Sequence, residues 1–289
     1  MTGKTAIVTD SNSGITQKMA GEIGVSVVPM PFVIDGETFY EDVNLSQKEF
    51  YEKLQSSAKI STSQPMVGEI LKLWDSLLET HDSIVYIPMS SGLSGSCATA
   101  AALAEDYGGR VEVVNNQRIS VPQRQSVLDA LELAKAGKTA AEIREILEKE
   151  KFESSIYIML DTLEYLKKGG RITPAAAAVA TVLHIRPVLQ IQGEKLDAYA
   201  KTRSEKQGRA IMMDALKKDI DNRFGGMDQV RIYVAHTDRE EEAKEFSQMI
   251  QAEWGVPVTY CDPLSLSIAC HTGPGALGIG CAKRIDQYL

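Results

Sequence analysis

Apolar positions fall into short unbroken runs separated by longer stretches at helical spacing. Residues 5–9 (TAIVT) form a β-rich run that ends at Asp10-Ser11-Asn12-Ser13-Gly14, a strand entering a polar turn. Residues 25–34 (VSVVPMPFVI) read as further strand, with Pro29 and Pro31 predicting an edge or a bent path. In residues 45–57, Leu45, Phe50 and Leu54 share one side of a helix. In residues 61–80, Val67, Ile70, Leu71, Trp74, Leu77 and Leu78 recur at helical spacing and face a core. Pro65 suits the first position of that helix, with Ser63 or Gln64 at its N-cap. Residues 83–88 read as a strand, followed by a serine-rich turn and a helix; residues 111–114 are another strand, and a helix pair follows, punctuated at Gly137. This β–loop–α rhythm predicts a mostly parallel sheet covered by helices.

The charged stretch at 148–154 marks a boundary, giving an N-terminal α/β domain over 1–152 and a C-terminal α/β domain with a mixed sheet over 153–289. Two domains also suit a chain of 289 residues. In the second domain, 155–160 is a strand, 187–199 a hairpin turning near Gly193, 204–220 a helix and 230–236 a strand. Thr237 and Glu240 stand at capping-box spacing before a helix over 237–254, and 256–260 reads as the last strand.

Composition removes several function classes. A net charge of −8 without a basic run argues against nucleic acid and against an anionic membrane surface. The most apolar run, 174–183, is shorter than the ~20 residues that span a bilayer. The first ten residues lack the apolar segment of a signal peptide. Cys97, Cys261, Cys270 and Cys281 form no C-x-x-C pair, which suits reduced thiols in the cytoplasm.

The candidate chemistry lies in the turns. MSSGLSGS (89–96) places hydroxyls and bare amides between a strand and a helix. As a nucleophile elbow it misses G-x-S-x-G by one position, and only His81, His184, His236 and His271 are available as bases. As a phosphate loop it lacks the Walker lysine. A helix N-terminus with hydroxyl donors is still an anion site; the plainer alternative is a loop that only caps the helix. A second hydroxyl cluster, 61–65, opens another predicted helix, and both can converge at the strand ends, where open α/β sheets place ligands. Around Gly169-Gly170, Lys167, Lys168 and Arg171 fit either a helix C-terminus or a basic docking loop. His271 precedes a Gly-Pro-Gly turn and can donate to an anion, or be incidental to a packed turn. Asp10 and Asp161 each end a strand and suit turn caps. No cysteine or histidine spacing makes a metal site.

Seven stretches in order, TDSNSG (9–14), STSQP (61–65), SSGLSG (90–95), LKKGGRI (166–172), IRPVLQIQGEKL (185–196), KTRSEKQG (201–208) and HTGPGALG (271–278), resemble the DegV family of bacterial fatty-acid-binding proteins. The resemblance implies the two-domain DegV-like (EDD) fold. A long-chain fatty acid would be held between and within the domains and presented to a separate fatty acid kinase, which makes acyl phosphate for phospholipid synthesis. The chain would then be a carrier with no catalytic residue and no cofactor beyond its ligand. Thr62 and Ser94 would bind the carboxylate, with Ser63, Ser91, Gly95 and His271 nearby, and Arg171 and Arg203 would meet the kinase. The chain departs from the family pattern at SCATA (96–100) and at NNQRISVPQR (115–124), which bears on pocket shape and acyl-chain preference. The rival reading is a small-molecule kinase or hydrolase acting at the same anion site. A third is an interaction protein with a structural lipid.

Overall fold

The computed structural model describes residues 3–55, 59–174, 176, 185–192 and 195–289. The chain forms two compact units, Met1–Phe152 with Ile285–Leu289, and Glu153–Arg284. The last five residues thus pack with the first unit, not with the second as expected. Ile285 is the reason: it is 3% exposed and buried among Ile7, Val85 and Leu147. Tyr288 Oη also donates to Glu150 Oε1 at 2.6 Å.

The first unit runs β1 (Thr5–Asp10), α1 (Gln17–Ile23), β2 (Ser26–Val28), β3 (Pro31–Ile34), β4 (Glu37–Tyr40), α2 (Gln47–Gln55), β5 (Ile60–Thr62), α3 (Val67–Leu78), β6 (Ser83–Ile87), α4 (Ser96–Ala104), β7 (Val111–Val113), α5 (Ser120–Lys135) and α6 (Ala140–Lys149). Its main sheet is parallel, in the order β2-β1-β6-β7. Strand alternation decides the two faces. Ile7, Val85 and Ile87 point toward α5 and α6, meeting Val127, Leu133, Ile143 and Leu147. Ala6, Val8, Ile84 and Tyr86 point the other way, toward Ile70 and Trp74 of α3 and Cys97 and Ala100 of α4. Both faces are therefore covered, as a parallel sheet requires.

The stretch 25–34 does not run as one strand. It breaks at Pro29, leaving β2 at the edge of the parallel sheet and β3 at the centre of a small antiparallel sheet, β4-β3-β5. Phe32, Phe39 and Phe50 pack beneath that sheet. The α3 helix starts later than expected. Met66, not Ser63 or Gln64, is its N-cap, with no side-chain capping bond, and Ser61 and Thr62 belong to β5.

The second unit runs β8 (Ser154–Met159), α7 (Glu164–Gly169), β9 (Arg186–Ile191), β10 (Asp197–Thr202), α8 (Glu205–Asp219), β11 (Val230–His236), α9 (Glu240–Trp254), β12 (Val258–Pro263), α10 (Leu266–Thr272) and β13 (Leu277–Lys283). Its mixed sheet has the order β10-β9-β8-β13-β11-β12, with β11 and β12 the parallel pair. The β9–β10 hairpin is present; the turn expected at Gly193 lies outside the described residues, as do His184 and most of the small-residue run from 175 to 180. The last strand is β13, inserted between β8 and β11, where the sequence read only a glycine-rich turn. Thr237 caps nothing: its hydroxyl donates to Gly273 O at 2.7 Å and accepts from Ala276 N at 2.8 Å, and Arg239 is the N-cap of α9.

Candidate functional site

In the first unit the serine-rich loop is built at the carboxyl ends of three neighbouring parallel strands. Asp10, at the end of β1, accepts from Met89 N on Oδ2 at 2.7 Å. Its other oxygen accepts from Asn12 N at 3.0 Å and from Gln123 Nε2 of α5 at 3.1 Å. Ser90 N donates to Arg118 O, after β7, at 2.8 Å. The Arg118 guanidinium is anchored in turn by Ser126 Oγ at 3.2 Å and Glu150 O at 2.6 Å. Ser90 O then accepts from Leu93 N and Ser94 N, closing a tight turn before α4. Ser90 is buried, while Ser91 and Ser94 are half-buried and Gly95 is exposed.

Ser94 Oγ accepts from Ser96 N at 3.2 Å, so the hydroxyl does cap the first turn of α4. The residue lacks the left-handed backbone of a strained nucleophile elbow, the positive-φ residues nearest in the chain being Gly108 and Gly109 after it and Asp42 before. With the loop amides and the start of α4 around it, this geometry suits hydrogen bonding to an anion more than attack on an ester.

The cluster at 61–65 reaches the same region from a strand, not from a helix. Thr62 pairs with Phe32 at the end of β5, and Ser63 N donates to Pro31 O at 3.3 Å. Gln64 then extends to α4, where its Oε1 accepts from Thr99 Oγ1 at 3.1 Å. An ideal Cβ on Gly95 would lie 3.8 Å from the same Gln64 oxygen. The structure thus ties the 61–65 segment, through Gln64, to the first turn of α4, where the serine-rich loop ends. Thr62 is half-buried and Ser63 exposed.

In the second unit His271 and Arg171 meet at Gly169. His271, in the last turn of α10, packs its imidazole so closely on Gly169 that a Cβ there would overlap Nδ1. Arg171 Nη1 donates to Gly169 O at 2.5 Å. Burial, and then the Arg171 charge, holds the His271 imidazole down to about 4, so it is neutral at physiological pH. The turn after it needs glycine twice: Gly273 (φ +70) lies against the Tyr165 ring, and Gly275 (φ +86) against the Asp161 carboxylate. Lys167 and Lys168 occupy the last turn of α7, with Gly170 as left-handed C-cap. Arg203 is exposed in the turn before α8. Its neighbour Glu205 gathers Arg186, Arg209 and Arg239 at 3.1, 2.5 and 2.5 Å. Among the described residues no cluster of His, Cys, Asp and Glu could hold a metal, and no helix is long and apolar enough to cross a membrane.

Comparison with known proteins places this architecture. Residues 4–284 match the family described as "Uncharacterised protein, DegV family". The chain belongs to the DegV family. Protein DegV of Bacillus subtilis is 31% identical over 278 residues, spanning 95% of this chain and 97% of that one. Among solved structures, a fatty-acid-binding DegV family protein from Thermus thermophilus superposes with a TM-score of 0.88 at 30% identity, covering 97% of this chain and 100% of that one. DegV of Bacillus subtilis, a fatty-acid-binding protein, superposes with a TM-score of 0.85 at 29% identity, covering 98% and 100%.

In this DegV family chain the sequence reading missed the residues beneath the loop. From sequence alone Asp10 suits a turn cap at the end of a strand. It is that, through Asn12 N, but it also holds Met89. Gln123 gave no signal because its partners, Thr9, Asp10 and the Ile87 carbonyl, lie more than thirty positions away, and Arg118 none because one of its partners is the distant Glu150 backbone carbonyl. The one visible trace was the departure of NNQRISVPQR from the family pattern, which falls on these supports.

Proposed function

We propose that this protein binds a long-chain fatty acid and presents its carboxylate to a fatty acid kinase, acting as carrier and not as catalyst. The observation that carries this reading is the tie of the 61–65 segment, through Gln64, to the first turn of α4 beside the serine-rich loop, in a family whose relatives bind fatty acids. Thr62 and Ser94 hold the carboxylate, aided by the hydroxyls of Ser63 and Ser91 and by the Gly95 amide. A carboxylate taken from water needs several donors to offset lost hydration. Hydroxyls and amides supply them without leaving a charge buried when the ligand departs. Each charge-assisted bond contributes roughly 1.5–3 kcal/mol, and each buried methylene about 0.8 kcal/mol. His271 in the second unit is half-buried and neutral at physiological pH. Arg171 and Arg203 are proposed to meet the kinase.

Native mass spectrometry after incubation with oleate tests the binding step. The wild-type protein should retain one oleate, while Thr62→Ala and Ser94→Ala should each retain it at least roughly tenfold less tightly, the worth of one such bond. Undiminished retention by both variants would refute the assignment of the carboxylate site. His271→Ala in the same assay decides whether the imidazole takes part.

A further inference from the structure

Asp10 is fully buried, and each of its hydrogen-bond partners given above is a donor: Met89 N, Asn12 N and Gln123 Nε2. Such a position accepts from every side. Asparagine has the same shape but must turn its NH₂ onto one of these donors. Among the described residues, the groups facing Asp10 from other elements include Tyr86 on β6, Cys97 on α4 and Gln123 on α5, all uncharged at neutral pH, and no cation shares in holding its carboxyl. A buried carboxylate in this setting costs stability, and a position that breaks a local folding rule points to use.

The use is visible in the chain of bonds. Met89 opens the serine-rich loop. The next residue, Ser90, is fixed by Arg118 O, and its own carbonyl collects the amides of Leu93 and Ser94. Asn12 Nδ2 also donates to the Met89 sulfur, so backbone and side chain of Met89 are both tied to the end of β1. We propose that Asp10 is a positioning residue for ligand binding: its ionised carboxylate sets the Met89 amide and, through it, the hydroxyl and amide donors of residues 90–96. Gln123 supports it by orienting the carboxylate from α5. This inference rests on the fatty-acid reading for its functional consequence, but the placement of the loop can be judged without any ligand.

The experiment uses Asp10→Asn, Gln123→Met, Ser94→Ala and the double variant Asp10→Asn/Ser94→Ala. Oleate affinity is measured from pH 5 to 8, and amide hydrogen exchange is followed across residues 89–96 without ligand. Asp10→Asn should weaken oleate binding roughly tenfold and speed exchange across the loop. The double variant should bind within about threefold of the weaker single one, because Asp10 acts through the donors that Ser94 belongs to. The wild-type affinity should contain a pH step that Asp10→Asn lacks. Gln123→Met should displace that step to higher pH, since it removes a donor that favours the carboxylate. Wild-type affinity in Asp10→Asn, multiplying losses in the double variant, or unchanged loop exchange would overturn the proposal. If Asp10→Asn does not fold, the displacement in Gln123→Met decides, and an unmoved step counts against Asp10. If the wild-type protein takes up no oleate, the fatty-acid reading fails, and amide exchange in Asp10→Asn and Gln123→Met still judges the loop.

Discussion

Asp10, buried, and His271, half-buried, both titrate in the acid range, with opposite effects on stability. Burial raises the Asp10 carboxyl to about 6, against the lowering bonds from Met89, Gln123 and Asn12. Well below pH 3.8 the group is protonated whether or not the chain is folded. As pH rises from about 4 to 6 the unfolded chain ionises first, so folding stability falls, by about 3 kcal/mol at 1.4 kcal/mol per tenfold change in proton affinity. His271 is lowered to about 4, first by burial and then by Arg171, so its contribution is complete above about pH 6.5 and is lost as pH falls toward 4. The two slopes oppose each other over nearly the same window. Chemical denaturation of wild type and Asp10→Asn between pH 4 and 7 should therefore give a difference curve that rises with pH in favour of the variant. A His271→Asn variant should give a difference curve of the other sign, gaining relative stability as pH falls. Parallel stability curves for wild type and variants would show that neither group is buried as described.

At the scale of elements, α7 and α10 meet through the contact of Gly169 with His271. Gly169→Ala adds one methyl where there is no space. Overpacking of this kind costs about 1–3 kcal/mol, and relief here means moving the imidazole outward. The expected result is a lower denaturation midpoint together with a His271 pKa, followed by NMR, that moves up toward the ordinary histidine value. A destabilised variant with an unmoved titration would place the strain elsewhere. The elements also show what a sequence can and cannot convey. Helix α3 and strand β6 were legible because Ile70 and Trp74 repeat at helical spacing and Ser83–Ile87 is an unbroken β-rich run. Strand β13 was not, because LGIGCAK looks like a turn. Its glycines answer to the neighbouring strand: a Cβ at Gly280 would lie 3.0 Å from Ser155 O of β8, a contact no local pattern encodes. Strand β5 was hidden for a related reason. Three residues rich in hydroxyls become a strand only because β3 offers an edge to pair with.

At the scale of the whole molecule, the two-unit α/β class and the family were legible from ordered motifs. The tie between the 61–65 segment and α4 was not, since the Gln64–Thr99 bond links residues thirty-five positions apart. A carrier must also separate holding its ligand from handing it over. Arg171 and Arg203 are placed by the proposal on the handing-over side, outside the hydroxyl clusters. Arg171→Ala and Arg203→Ala should thus leave oleate retention within about threefold of wild type while lowering kinase-dependent acyl phosphate formation by roughly tenfold or more, as loss of a charge at an interface does. Loss of oleate with normal turnover by the kinase would reverse the assignment.

The return of Ile285–Leu289 to the first unit has a consequence for synthesis. The first unit is discontinuous in sequence, with 132 residues of the second unit, Glu153–Arg284, inserted in it. On the ribosome, residues 1–152 emerge first and find their parallel sheet at once, but the place of Ile285 among Ile7, Val85 and Leu147 stays unfilled until the whole second unit has been made. At ~5–20 residues per second that interval lasts roughly 7–26 s. For that time the nascent first unit carries an incomplete apolar core, which makes it the part of the chain most in need of a chaperone during translation.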